Sequence, residues 1–134
     1  MRFLTPCLLL FMVACTFTTS MPLTPDFRVG TDTIGSHMDS LISAENFNFY
    51  GIKKSVNGTV TRVMQITVTN GKNVPSEDQA LRALGKTLAT YAKSQLKDTA
   101  EYDLYDVRFE SRKTSDGMTN TSFSTLEFKK NELP

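Results

Sequence analysis

Three carboxylates are the residues of this chain most suited to do chemistry. Asp103 and Asp106 stand in the run Asp98-Thr99-Ala100-Glu101-Tyr102-Asp103-Leu104-Tyr105-Asp106, and Glu127 follows on the next hydrophobic segment. Closely spaced oxygen ligands suit calcium, and paired carboxylates suit acid–base hydrolysis. The run lacks the glycine and the terminal glutamate of an EF-hand loop. It therefore reads as a solvated loop entering a strand, with a metal-dependent or carboxylate-using hydrolase on Asp103, Asp106 and Glu127 as the alternative.

Other chemistry is poorly supplied. Leu84-Gly85-Lys86-Thr87 ends like a phosphate-binding loop, but Ala80 stands where another glycine is needed, and the motif falls inside a helical pattern. The sole histidine, His37, sits apart from the main strand and helix patterns, so a serine–histidine pair lacks its orienting context. A zinc centre lacks further histidine or cysteine ligands. The expectation is no catalytic set, no metal site and no cofactor.

Cys15 is the remaining reactive group, and its meaning depends on what precedes it. Arg2 gives a positive start, and Leu4 to Ala14 is an apolar run broken only by Thr5, Pro6 and Cys7. As a helix that run reaches about 16 Å, roughly half a bilayer core, which fits an export signal and not a span. Met12-Val13-Ala14-Cys15 resembles the lipobox of bacterial lipoproteins, in which the signal is removed and the cysteine acylated. The resemblance implies residues 1–14 as signal peptide, Cys15 as the lipidation site and membrane anchor, and residues 15–35 as a flexible tether. The alternative is a freely secreted protein cut near Ser20. The two cysteines are Cys7 and Cys15, so neither cleavage leaves a disulfide within the mature chain.

The elements that would position any site are two hairpins around one helix. Asn57-Gly58 lies between FNFYGIKKSV and TVTRVMQITVT, a two-residue turn signal. The register it implies pairs Phe47 with Val68, Phe49 with Ile66 and Gly51 with Met64 on one face. Asp116-Gly117 implies Tyr105 with Phe128, Val107 with Leu126 and Phe109 with Ser124, and it sets Asp106 opposite Glu127. Like charges facing each other across strands are unfavourable. Between the hairpins, Ser76-Glu77-Asp78-Gln79 fits a capping box, and Leu81, Leu84, Leu88, Ala92 and Leu96 form one helical stripe. Gly85 within that stripe predicts close approach to the sheet. Ser36 is a candidate cap for a short leading helix carrying Met38, Leu41 and Ile42.

The fold class read from this pattern is α+β: a ββαββ domain over residues 36–134, with one helix on one face of a four-stranded, mainly antiparallel sheet. Tyr50, Ile52, Val63, Leu104 and Phe123 fall on the other face and form the candidate partner-binding surface.

Charge narrows the partners. Of 15 basic and 14 acidic residues, Arg2 lies in the leader, so the chain from Cys15 is formally neutral. That gives no electrostatic reason to bind nucleic acid. Lys53, Lys54 and Arg62 read as a solvated hairpin tip. Asn57-Gly58-Thr59 and Asn120-Thr121-Ser122 are glycan acceptor sequences that matter only in a secreted eukaryotic protein. The lipobox-like leader ahead of a small ββαββ domain resembles the small surface or periplasmic lipoproteins of Bacteroidota-type bacteria. The resemblance rests on residues 12–15 and the stretch Val68 to Phe109 with Asn70-Gly71-Lys72-Asn73. It implies an exported, lipid-anchored protein of the cell envelope, with an envelope partner and no shared enzymatic activity.

Overall fold

Both predicted turns form with the backbone their residues favour. Asn57 and Gly58 take φ of 50° and 83°, and Asp116 and Gly117 take 53° and 76°. Positive φ at both central positions matches the twist of the flanking strands. The pairings that follow are those expected, Phe47 with Val68 in the first hairpin and Tyr105 with Phe128 in the second.

A computed structural model describes residues 15–134. The signal peptide assigned to residues 1–14, with Cys7 and the Met12–Ala14 part of the lipobox-like motif, lies outside the described residues. The chain runs β1 (Thr18–Leu23), α1 (Thr31–Leu41), β2 (Asn46–Val56), β3 (Thr59–Thr69), α2 (Asp78–Gln95), β4 (Leu104–Ser115) and β5 (Met118–Lys129). A single 3₁₀ turn at Lys130–Glu132 ends it.

The class is α+β, but the sheet has five strands in the order β1-β2-β3-β4-β5 and is mixed. Three of the four pairings are antiparallel, as expected of a mainly antiparallel sheet, but the structure adds one parallel pair and a fifth strand to the four expected. The crossover through α2 returns the chain beside β3, not one strand further on, so β3 and β4 run parallel from Val63 alongside Leu104 to Thr69 alongside Glu110. A strand that re-enters next to its predecessor after crossing the sheet must run the same way. The second addition is β1. Residues 18–23, expected within a free tether, pair antiparallel with β2 from Thr18 alongside Val56 to Leu23 alongside Gly51. Phe27 then bridges to Leu96, and α1 begins at Thr31. From Thr18 onward the chain belongs to the fold.

Both helices cover the same face. Ile34, Met38 and Ile42 from the α1 region and Leu88, Ala89, Ala92 and Leu96 from the α2 region join Met64, Ile66, Val68, Tyr105, Val107 and Phe128 in one buried cluster. Each fully buried Val, Leu, Ile, Met or Phe side chain among them contributes about 1.5–3 kcal/mol by leaving water. Gly85 behaves as expected: a Cβ there would lie 3.0 Å from Leu126 Cδ1 and 3.3 Å from Phe128 Cε2. The helix starts differ from expectation. α2 is capped at Glu77 and α1 at Gly30, and neither cap makes a side-chain hydrogen bond, so neither the Ser76 capping box nor the Ser36 cap forms. The Lys93 Nζ donates to the carbonyls of Lys130 and Leu133 at 3.1 and 3.0 Å, which pins the C-terminal turn under α2 and buries Leu133.

Candidate functional site

The helix-free face of the sheet is organised in rows set by the strand register. One row runs Pro22, Ile52, Val63, Leu104 across β1 to β4. It is apolar throughout, and Val63 is 2% exposed although it lies outside the cluster beneath the helices. The next row holds Tyr50, Gln65, Asp106 and Glu127, and the one beyond it Asn48, Thr67, Arg108 and Thr125. A fourth row holds Asn46, Thr69, Glu110 and Phe123. Four of the five residues expected to form a partner surface therefore meet: Ile52, Val63 and Leu104 abreast, with Tyr50 one row away. Phe123 does not join them. It stands on the far side of two polar rows, its ring under the Arg108 guanidinium at 3.9 Å from the centroid.

Around Phe123 lies a charge cluster built from Arg108, Glu110 and Arg112 of β4. Glu110 is 9% exposed, accepts from Arg112 Nε, and has Arg108 Nε 3.9 Å from its other oxygen. Asn70 extends the arrangement beyond the end of β3. Its Nδ2 donates to Glu45 at 2.6 Å, and its Oδ1 accepts from the Arg112 amide at 2.7 Å. Asn70 thus continues the β3–β4 ladder with a side chain in place of backbone, helped by its positive φ of 51°. The cross-strand register, once a turn fixes it, was the one sequence signal able to place Phe123 beside these groups.

The three carboxylates are not brought together. Asp106 and Glu127 are cross-strand neighbours, as the second turn implied. Asp103 is held separately: its Oδ2 accepts from the Arg62 amide at 2.9 Å, its amide donates to the Arg62 carbonyl at 2.8 Å, and Lys130 Nζ lies 3.6 Å from Oδ1. Among the described residues no group of three or more His, Cys, Asp or Glu is arranged to hold a metal ion. Burial, reinforced by Glu127 and only partly offset by Lys54, pushes the Asp106 carboxyl above its ordinary 3.8. A carboxyl whose pKa is raised by folding contributes stability below 3.8 and loses it as pH rises. Asp106→Asn is accordingly expected to raise the melting temperature at pH 7 and to leave it unchanged below pH 3.8, which thermal melts at the two pH values will show.

His37 is on α1 with its ring stacked on Tyr91 of α2 at 4.0 Å. Two serine hydroxyls near it are committed to backbone: Ser94 donates to the Tyr91 carbonyl and Ser40 to that of His37. Thr87, from the Gly-Lys-Thr motif, donates to Ala83 within α2, a helix whose amides are already bonded. Neither a phosphate cradle nor a nucleophile–base pair is assembled there. A cleft of about 240 Å³ opens at the far end of the sheet, with Val68, Gly71, Val74 and Phe109 beneath Ser111 and Ser122.

No protein-family model, no curated protein and no solved structure matches this chain. Among the described residues no helix is long and apolar enough to cross a membrane. Cys15 is exposed and unpaired among the described residues, and only Thr16 and Phe17 separate it from β1.

Proposed function

We propose that this chain is a non-enzymatic, lipid-anchored module of the bacterial cell envelope, acylated at Cys15, which binds an envelope protein through the helix-free face of its sheet. The observation that carries the binding surface is the apolar row Pro22, Ile52, Val63 and Leu104 with Tyr50 beside it, on a face that no described helix covers. The anchor is supported by the lipobox-like Met12-Val13-Ala14-Cys15 and by the exposure of Cys15 at the start of the fold.

Intact mass of the protein from its native host tests the anchor: a chain beginning at Cys15 and carrying acyl groups is expected. A chain beginning near Met21 would mean free secretion and would remove half of β1. The binding face is tested by Tyr50→Glu with Leu104→Lys. These partly exposed positions should lose a cross-linked envelope partner while the melting temperature moves by only a few degrees, about 1 kcal/mol. Unchanged cross-linking would remove this face from consideration. The outer edge of β5 is the second surface to examine, because its backbone lies at the end of the sheet order and nearly all of its twelve residues are exposed.

A further inference from the structure

The β1–β2–β3 end of the sheet differs from the rest of the molecule in both charge and exposure. The chain has no acidic residue from Cys15 to Pro25 or from Asn46 to Ser76. In a formally neutral mature chain, these three strands therefore carry Lys53, Lys54 and Arg62 and no acid. Of the nine exposed large apolar residues, five lie on or beside these strands, Tyr50 in mid-strand and four toward the Asn57-Gly58 turn: Phe17 at 74%, Met21 at 59%, Val60 at 46% and Val56 at 40%. The nearest carboxylates stand at the foot of this end, Asp103 bound to the Arg62 backbone and Asp106 near Lys54.

Cys15 is tied to the same place. The Phe17 amide donates to Asn57 Oδ1 and the Asn57 amide donates to the Phe17 carbonyl, both at 3.1 Å. Two residues span at most about 7 Å, so the sulfur of Cys15 leaves the fold next to the Asn57-Gly58 turn. The parallel β3–β4 pair sends the other turn, Asp116-Gly117, to the opposite end of the sheet. From Val60 to Ser115 along β3 and β4 is about 45 Å at the usual strand rise.

We propose that the β1–β2–β3 end is a membrane-contact surface for an anionic phospholipid bilayer. Phe17, Val56 and Val60 enter the headgroup layer, and Lys53, Lys54 and Arg62 face the lipid phosphates. The acyl chains and this end then form two independent attachments, and the sheet stands with β4–β5 pointing away from the membrane. Apolar side chains flanked by lysine and arginine are the chemistry of an interfacial contact. The inference rests on the acylation of Cys15 proposed above.

The chain has no tryptophan, so one introduced indole is a clean reporter. Val60→Trp and, as control at the opposite turn, Met118→Trp are made in the full chain, and the mature proteins are reconstituted into phosphatidylethanolamine–phosphatidylglycerol vesicles containing brominated acyl chains. Phe17→Trp serves as a second reporter should Val60→Trp fold poorly. The expected result is about twofold or greater quenching of the indole at position 60, with a blue shift, and none at position 118. Lys53→Glu with Lys54→Glu should relieve most of that quenching while the acylated protein still sediments with the vesicles. Sedimentation without quenching at position 60 overturns the contact and leaves the anchor standing. Equal quenching at both positions overturns the orientation. Quenching at position 60 in protein whose mass shows no acyl group sustains the contact and refutes the anchor. Failure to sediment refutes both.

Discussion

Gly51→Ala is expected to destabilise the fold by about 2–3 kcal/mol, more than most single-methyl additions. A Cβ at position 51 would lie 2.5 Å from the Tyr102 hydroxyl, 2.6 Å from the Leu23 carbonyl oxygen and 3.0 Å from Leu23 Cβ. Two of these three atoms belong to β1, so the substitution forces β1 away from β2 as well as disturbing Tyr102. Elsewhere in a strand, alanine for glycine is neutral or helpful, because glycine loses more chain entropy on folding. The sign of the effect therefore reports whether β1 occupies its place. Urea melts of the two proteins will show it. A stability within 0.5 kcal/mol of the parent, about the range of an innocuous surface change, would mean that residues 18–23 do not pair with β2 in solution.

Alkaline conditions are expected to weaken the protein through two tyrosines. Tyr102 and Tyr105 lie fully buried under the helices with ring centroids 6.3 Å apart, and neither hydroxyl has a hydrogen-bond partner among the described residues. Burial, followed by the charge of Glu101, pushes Tyr102 from 10.0 up to about 12. Burial, followed by Tyr102 itself, Glu101 and Asp98, raises Tyr105 further. Below pH 10 both folded and unfolded chains keep these protons, and the tyrosines add no pH dependence. Above it the unfolded chain releases them first, so stability falls by up to about 1.4 kcal/mol per pH unit for each tyrosine until the folded chain also titrates. Melting curves between pH 9 and pH 12 should drop steeply for the parent and much less for Tyr102→Phe with Tyr105→Phe. The double variant should also gain about 1 kcal/mol at neutral pH, since it removes two desolvated hydroxyls. Parallel curves for the two proteins would show that the hydroxyls reach water.

The hairpins were legible because their information is local. Asn57-Gly58 and Asp116-Gly117 fix positive φ at two adjacent residues, and the register of each strand pair follows from counting outward. The helix stripe from Leu81 to Leu96 was legible for the same reason, as was the close approach at Gly85. Strand order was not, because a chain that crosses the sheet through α2 can land beside β3 or beyond it with the same periodicity. β1 escaped notice because Thr18, Thr19, Ser20 and Pro22 leave Met21 and Leu23 as its only apolar pair, too short an alternation to mark a strand. It is an edge strand with exposed side chains, held mainly by backbone pairing to β2 and marked by a proline that edges tolerate. The same division governs the candidate site. That Tyr50, Ile52, Val63, Leu104 and Phe123 share one face follows from strand parity. That Ile52, Val63 and Leu104 stand abreast while Phe123 lies two rows off depends on the parallel β3–β4 register, which no local pattern encodes.

That parallel ladder also sets the order in which the molecule can assemble. Each hairpin closes through a two-residue turn, an event of about 1–10 μs. Joining them requires contacts such as Arg62 with Asp103, 41 positions apart, and adding β1 requires Phe17 to find Asn57 across 40. Two long closures, one on each side of the β2–β3 hairpin, therefore follow the fast local steps, and loop-closure entropy makes them slow. Until both are complete, β2 and β3 each present an unpaired edge. That interval is when a second copy competes most directly for the places of β1 and β4.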